Sequence, residues 1–184
     1  MADLKDHAAD HGFHIHDERH FVETYSMRQA FEVDFHPADA CGGPLDLHLA
    51  VDLDPRVLLA FEDEVITVGP DGRPSNDLSI PVLFTWGLPP LAESPDLLVL
   101  ATELAGIGGA DLPLEVSAAD IVGALSVSGE PKRSLTIVAK AELTLASIFL
   151  GEEQLCDVLD TCYKVSEFIL HRAPEWVGDW QPDQ

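Results

Sequence analysis

Twice between Phe31 and Leu53 the chain alternates apolar and polar residues with a period of two. Phe31, Val33 and Phe35 are interleaved with Glu32, Asp34 and His36; after a connection from Pro37 to Pro44, Leu45, Leu47, Leu49, Val51 and Leu53 are interleaved with Asp46, His48 and Asp52. Successive side chains of a strand point to opposite faces, so each run predicts a half-buried strand, and their closeness predicts an antiparallel pair. If Phe35, Val33 and Phe31 face Leu47, Leu49 and Val51, the opposite face sets Asp34 against His48 and His36 against Asp46. A slip by an even number of residues changes these pairs but not the composition of either face. Leu135 to Leu145 repeats the alternation, with Thr136, Lys140, Glu142 and Thr144 on the polar side, and Ile80 to Trp86 is a short apolar strand.

Helix signals separate these strands. Asp54 before Pro55 places a cap acceptor ahead of a residue whose missing N–H costs nothing, which predicts a short helix to Glu64. Gly69 to Asp77 is rich in turn formers and predicts a loop. Ser94-Pro95-Asp96 starts a helix that Gly106, Gly108 and Gly109 end. Ser117, with Asp120 at the third position, predicts a further helical turn, and Gly129 to Pro131 predicts a turn. The last helix spans Glu152 to His171, with Leu155, Val158, Leu159, Cys162, Val165 and Ile169 in one stripe, and closes near Pro174. Strands grouped early and late around helices give an α+β class: a single domain, residues 23–172, with an antiparallel sheet packed against helices. An acidic, His-rich segment, residues 1–22, precedes it as a disordered or partly ordered lead, and an acidic tail containing tryptophan, residues 173–184, follows.

Charge excludes some functions. The 184 residues hold 33 Asp plus Glu against 10 Lys plus Arg, a formal −23. No two basic residues adjoin except Lys132 and Arg133, so there is no basic groove for phosphate, and direct nucleic-acid binding is not expected. A mean hydropathy of +0.09 together with ordered apolar patterns argues for a folded body rather than an acidic disordered chain. The start of the sequence has no secretory pattern, and no apolar run is long enough for a membrane span, so a cytoplasmic location is expected. Cys41, Cys156 and Cys162 have no CxxC spacing and are expected to be reduced thiols. Phosphate-loop, dinucleotide, nucleophile-elbow, HExxH and EF-hand patterns are all missing. Gly106 to Gly109 closes a helix rather than opening one, the wrong end for an anion.

Two clusters bear on chemistry. Five of the eight histidines, His7, His11, His14, His16 and His20, lie in the first 20 residues among Asp6, Asp10, Asp17 and Glu18. On a helix His7, His11 and His14 share a face; on a strand only His14 and His16 coincide. The second cluster is the outer face of the hairpin, where Asp34, His36, Asp46 and His48 are either ordinary cross-strand pairs or a divalent-metal site, for example for zinc, supporting acid–base chemistry. The C-terminal helix is apolar on more than one face. Cys156, Tyr163 and Leu170 repeat every seven residues beside the main stripe, and so wide an arc needs a second surface, either the rest of the core or a partner. Trp176 and Trp180 either fold back on the domain or anchor a partner.

The strand Leu135 to Leu145, the link Ala146 to Gly151 and the helix beginning Glu152-Glu-Gln-Leu155 resemble the bacterial type III secretion chaperone-like class over Ser134 to Arg172. The resemblance implies a non-catalytic, dimeric protein that shields or presents a protein partner, and it carries no functional residue over. The leading expectation is therefore a non-enzymatic acidic binding, adaptor or chaperone-like protein without a cofactor. Cys156, Tyr163, Leu170, Trp176 and Trp180 are its candidate contacts with a protein partner or a second subunit. The alternative is a metal-dependent enzyme built on Asp34, His36, Asp46 and His48, with the N-terminal histidines contributing.

Overall fold

A computed structural model describes residues 2–121, 132–152 and 155–178. Its elements run α1 (Ala2–Asp10), β1 (Phe13–Val22), β2 (Gln29–Pro37), β3 (Asp46–Leu53), α2 (Pro55–Val68), β4 (Ser79–Gly87), α3 (Leu97–Gly108), β5 (Leu114–Ile121), β6 (Lys132–Thr144), α4 (Leu145–Leu150) and α5 (Leu155–Val177), with a 3-10 turn at Ala38–Ala40. The six strands form one antiparallel sheet in the order β1-β2-β3-β4-β6-β5. This is the α+β domain that the alternation predicts.

The β2–β3 register sets Phe31 opposite Val51, Val33 opposite Leu49, Asp34 opposite His48 and Phe35 opposite Leu47. Phe84 and Trp86 of β4 continue the same face beside Leu49 and Leu47, and Ala139 and Ile137 of β6 continue it beyond them. The apolar side chains of this face are buried apart from the half-buried Phe31, and α5 lies on them with Leu159, Cys162, Val165 and Ile169 turned inward. Each such aliphatic side chain stabilises the fold by roughly 1.5 to 3 kcal/mol. Trp86 adds a polar constraint: its indole N–H donates to Ser166 Oγ at 2.9 Å, and that hydroxyl donates to the carbonyl of Cys162, also at 2.9 Å. α3 packs on β5 and α5.

Several elements differ from the sequence expectations. Within the His-rich lead, α1 leads into β1, and β1 is a strand of the sheet. α1 turns at Gly12, whose φ of +84° suits glycine, and β1 pairs with β2 along its length. Ser117 caps no helix: it lies in β5 opposite Thr136, where the sheet's ladder outweighs a weak capping signal. The link Ala146 to Gly151 is α4, closed by Gly151 at φ +67°. α2 runs beyond Glu64 to Val68, and the turn expected at Gly129 to Pro131 lies outside the described residues.

α5 also passes through Pro174 to Val177. A proline inside a helix removes a backbone hydrogen bond. Here the last turn is held by burial of Trp176 and Val177, and by the Ala92 and Glu93 amides donating to the Trp176 carbonyl at 2.7 and 2.9 Å.

Candidate functional site

The outer face of β1, β2 and β3 gathers imidazole and carboxylate groups, and the structure divides the four expected residues between two arrangements. Asp34 and His48 are paired, with His48 Nδ1 2.6 Å from Asp34 Oδ1. Arg19 reaches the other Asp34 oxygen at 2.8 Å and also holds Glu32. Burial works against the Asp34 carboxylate, but hydrogen bonds from His48 and Arg19 outweigh it and hold its pKa below the ordinary value. Asp34 is thus already balanced by a guanidinium and an imidazole. Asp46 acts on His36 only through its charge, raising that group's pKa, and stands outside the His36 hydrogen bonds.

His36 turns instead towards β1. His14 is its cross-strand neighbour, and His16 is the extra residue at a bulge between the Ile15–Phe35 and Asp17–Asp34 pairs. A bulge sets two residues against one and re-aims the side chain beside it. The three rings lie together, with centroids 5.1 Å (His14–His16), 5.3 Å (His14–His36) and 4.1 Å (His16–His36) apart. His16 Nε2 touches His36 Nδ1. The other His36 nitrogen, Nε2, is 2.9 Å from Cys41 Sγ, which is itself 3.5 Å from His14 Nδ1 and 3.2 Å from the Ala38 carbonyl. His36 is only 3% exposed, whereas His14, His16 and Cys41 reach solvent. Burial first, and then the neighbouring His16 and His14, lower the His36 pKa, so the ring is held neutral.

A second cluster joins α1 to α5. His7 Nδ1 is 3.0 Å from Cys156 Sγ, and His11 Nδ1 is 2.6 Å from Asp160 Oδ1. Tyr163 packs edge-on against Phe13 at 5.5 Å and sits over Gly12, while Leu170 lies against Gly43. The second face of α5, for which the rest of the core and a partner were the two expectations, packs its half-buried Cys156, Tyr163 and Leu170 against the chain's own α1, the start of β1 and the 38–43 connection. Trp176, expected as a partner anchor, is buried against the domain. Trp180 lies outside the described residues.

Among the described residues, unpartnered apolar surface lies elsewhere. At the end of the sheet away from His36, Phe31, Val51, Leu53, Ile80, Val82, Leu143 and Ile148 line an open groove of about 320 Å³. α2 stands beside it with no buried residue and touches α4 through an edge-on Phe61–Phe149 contact at 5.9 Å. Leu59 is 60% exposed and Ile66 71%; Phe149 and Leu150 of α4 are exposed as well. Acidic residues flank this surface: α2 carries Glu62, Asp63 and Glu64 against Arg56, with Asp52, Asp54 and Glu142 close by in the chain or sheet.

A larger cleft of about 420 Å³ at the start of α3 is lined in part by Glu93, Asp96, Glu103, Arg172 and Trp176. Its guanidinium is already engaged with Glu103 and Glu175, which leaves the cleft without a free cation among the described residues.

The sequence signal at the histidine cluster was partial. Alternation on a strand places His14 with His16, but the partnership with His36 needs the β1–β2 pairing, which crosses a turn whose residues carry no strong hairpin pattern. Cys41 follows His36 by five residues, and only the 3-10 turn brings its sulfur back to the ring. Among the described residues no helix is long and apolar enough to cross a membrane. Comparison with protein-family models, with curated proteins and with solved structures finds no match.

Proposed function

We propose that the protein is a non-enzymatic binding or adaptor module that holds a basic, amphipathic polypeptide segment in the groove between the open end of the sheet, α2 and α4. One observation carries this reading: the core face of the sheet continues past the end of α5 as a groove lined by seven apolar side chains, flanked by two helices with exposed apolar residues. Surface of this kind marks a binding site when it is contiguous and rimmed by polar groups. The formal charge of −23 and the acids of α2 favour a partner with Lys or Arg beside its apolar anchors, both in encounter rate and in selectivity. A second copy of the same chain would bring like charge to like charge.

Fluorescence anisotropy with a labelled amphipathic Leu/Lys peptide, and with its Leu/Glu counterpart, tests the proposal. The Leu/Lys peptide binds and the Leu/Glu peptide does not; Ile148→Glu, and Leu58→Glu on the side of α2 that adjoins Leu53 and Ile80, weaken binding at least about tenfold, a loss of about 1.4 kcal/mol. Equal binding of both peptides, or binding indifferent to these substitutions, overturns the reading. Sedimentation of the free protein adds a further outcome: a dimer dissolved by Ile148→Glu gives the groove to a second copy and overturns the basic-partner assignment.

A further inference from the structure

The three imidazoles on the outer face have no role in the groove. We propose that His14, His16 and His36 form a binding site for a divalent transition-metal ion of the zinc type, with Cys41 fixing the orientation of His36.

The donor geometry comes first. One ligand nitrogen from each imidazole can be chosen so that all three lie within 4.8 Å of one another. Two nitrogens bound tetrahedrally to zinc at about 2.1 Å each are about 3.4 Å apart, so small side-chain rotations bring the set to binding distance. Three neutral imidazoles with a fourth position left to water or a ligand is an established zinc donor set, and nitrogen donors of this kind also suit copper, nickel and iron.

The company these rings keep is the second argument. In a chain with 33 carboxylates, His11 takes Asp160 and His48 takes Asp34, whereas His14, His16 and His36 take one another and a thiol. Acid pairing therefore explains the first two histidines and leaves the trio unexplained. A buried imidazole such as His36 needs partners for both nitrogens; its Nδ1 lies against His16 Nε2, and an ion shared by the two rings would take over that contact.

Cys41 supplies the other. Its thiol lies within reach of the Ala38 carbonyl as a donor, which leaves sulfur lone pairs to accept from His36 Nε2–H. That assignment of the proton leaves Nδ1 unprotonated, with its lone pair turned to His16 Nε2, and the ion would sit between these two nitrogens. A metal-bound histidine ordinarily donates its second N–H to a neighbouring acceptor that fixes its tautomer, and Cys41 occupies that place. The bulge at His16 adds the third ligand to a cross-strand His14–His36 pair that would otherwise offer two.

Isothermal titration of the full chain with Zn²⁺ after chelator treatment, and absorption spectroscopy with Co²⁺ as a reporter, test the site. One equivalent binds, and the cobalt spectrum shows visible bands of nitrogen coordination without an intense sulfur-to-cobalt band. His14→Ala and His16→Ala, both at exposed positions, abolish the stoichiometric binding with the circular dichroism unchanged. Cys41→Ser keeps the site but weakens it by about tenfold to a hundredfold, the range for an orienting neighbour. His7→Ala and His48→Ala leave it intact. The proposal is overturned if zinc binding survives in both His14→Ala and His16→Ala, or if it is lost in His7→Ala or Cys156→Ser, which would move the ion to the α1–α5 cluster. A sulfur-to-cobalt band that disappears in Cys41→Ser overturns the orienting role given to Cys41.

Discussion

Ser166→Ala isolates a buried polar link between the sheet and α5. Trp86 is 1% exposed and Ser166 0%, and the indole N–H has the Ser166 hydroxyl as its partner at 2.9 Å. Removing that oxygen leaves the donor buried and unpaired, a penalty of about 1 to 3 kcal/mol. Alanine is the better helix former and returns about 0.5 kcal/mol. The carbonyl of Cys162 still has the helical amide four residues on, so it adds nothing. The expected net loss is about 0.5 to 2.5 kcal/mol, which for a domain of this size lowers Tm by about 1 to 10 °C. Urea unfolding followed by far-ultraviolet circular dichroism measures it without depending on the tryptophans. The second half of the experiment is a cycle with Trp86→Phe. That change costs stability in its own right, but it removes the donor, so adding Ser166→Ala to it is neutral or slightly favourable. An equal loss from Ser166→Ala in both backgrounds would refute the reasoning, because the penalty would then have nothing to do with the indole.

Two more outcomes follow from burial. In the native chelator-treated protein Cys41 reacts first with a disulfide reagent, Cys156 more slowly, and Cys162, buried and with its thiol pKa pushed up by burial, reacts only on unfolding; prompt labelling of Cys162 would show that α5 is not seated on the sheet. The Tyr163 phenol has a raised pKa, through burial first and then the charges of Asp39 and Glu167. The fold disfavours its anion, so stability is lost as pH rises above the unfolded value of about 10. Ultraviolet titration in a Tyr25→Phe background leaves Tyr163 as the only tyrosine, and Asp39→Asn should lower its midpoint; an unmoved midpoint would mean that Asp39 does not face the ring.

The hairpin was legible because its period of two fixes which residues share the face of Phe31, Val33 and Phe35 whatever the even slip, and β2 and β3 adopt the register that sets Asp34 against His48. β5 was not, since Leu114 to Ile121 mixes small and polar residues whose state is set by pairing with β6 rather than by their own pattern. The lead was misread for a related reason. β1 is an edge strand with Phe13 alone buried, and its bulge breaks the alternation that would have announced it. The wide apolar arc of α5 was visible in the sequence, but what covers it was not: the contact between Tyr163 and Gly12 joins residues 151 positions apart. Likewise Asp34 with His48 followed from register, while His36 with His14, His16 and Cys41 required a third strand and a turn.

The two proposed sites use opposite faces of the same sheet, and this decides how they should behave together. β2 presents Phe31 to the groove and His36 to the imidazole cluster. The two residues differ by five positions, so at 3.3 to 3.4 Å per residue they are roughly 17 Å apart along the strand, and they point to opposite sides. The intervening strand is paired on both sides and carries buried Val33 and Phe35, which makes it a stiff element with one packing rather than a switch with two. Coupling between ligands requires an element with two states that both ligands bias. Among the described residues none joins the sites, and substitutions this far apart ordinarily add to within about 0.5 kcal/mol. Zinc affinity measured with saturating Leu/Lys peptide should therefore lie within about twofold of its value without peptide, and Ile148→Glu should leave it unchanged. A larger mutual effect, equal in both directions as linkage demands, would show that β2 moves as the groove fills, and the rigid sheet assumed for both sites would have to be abandoned.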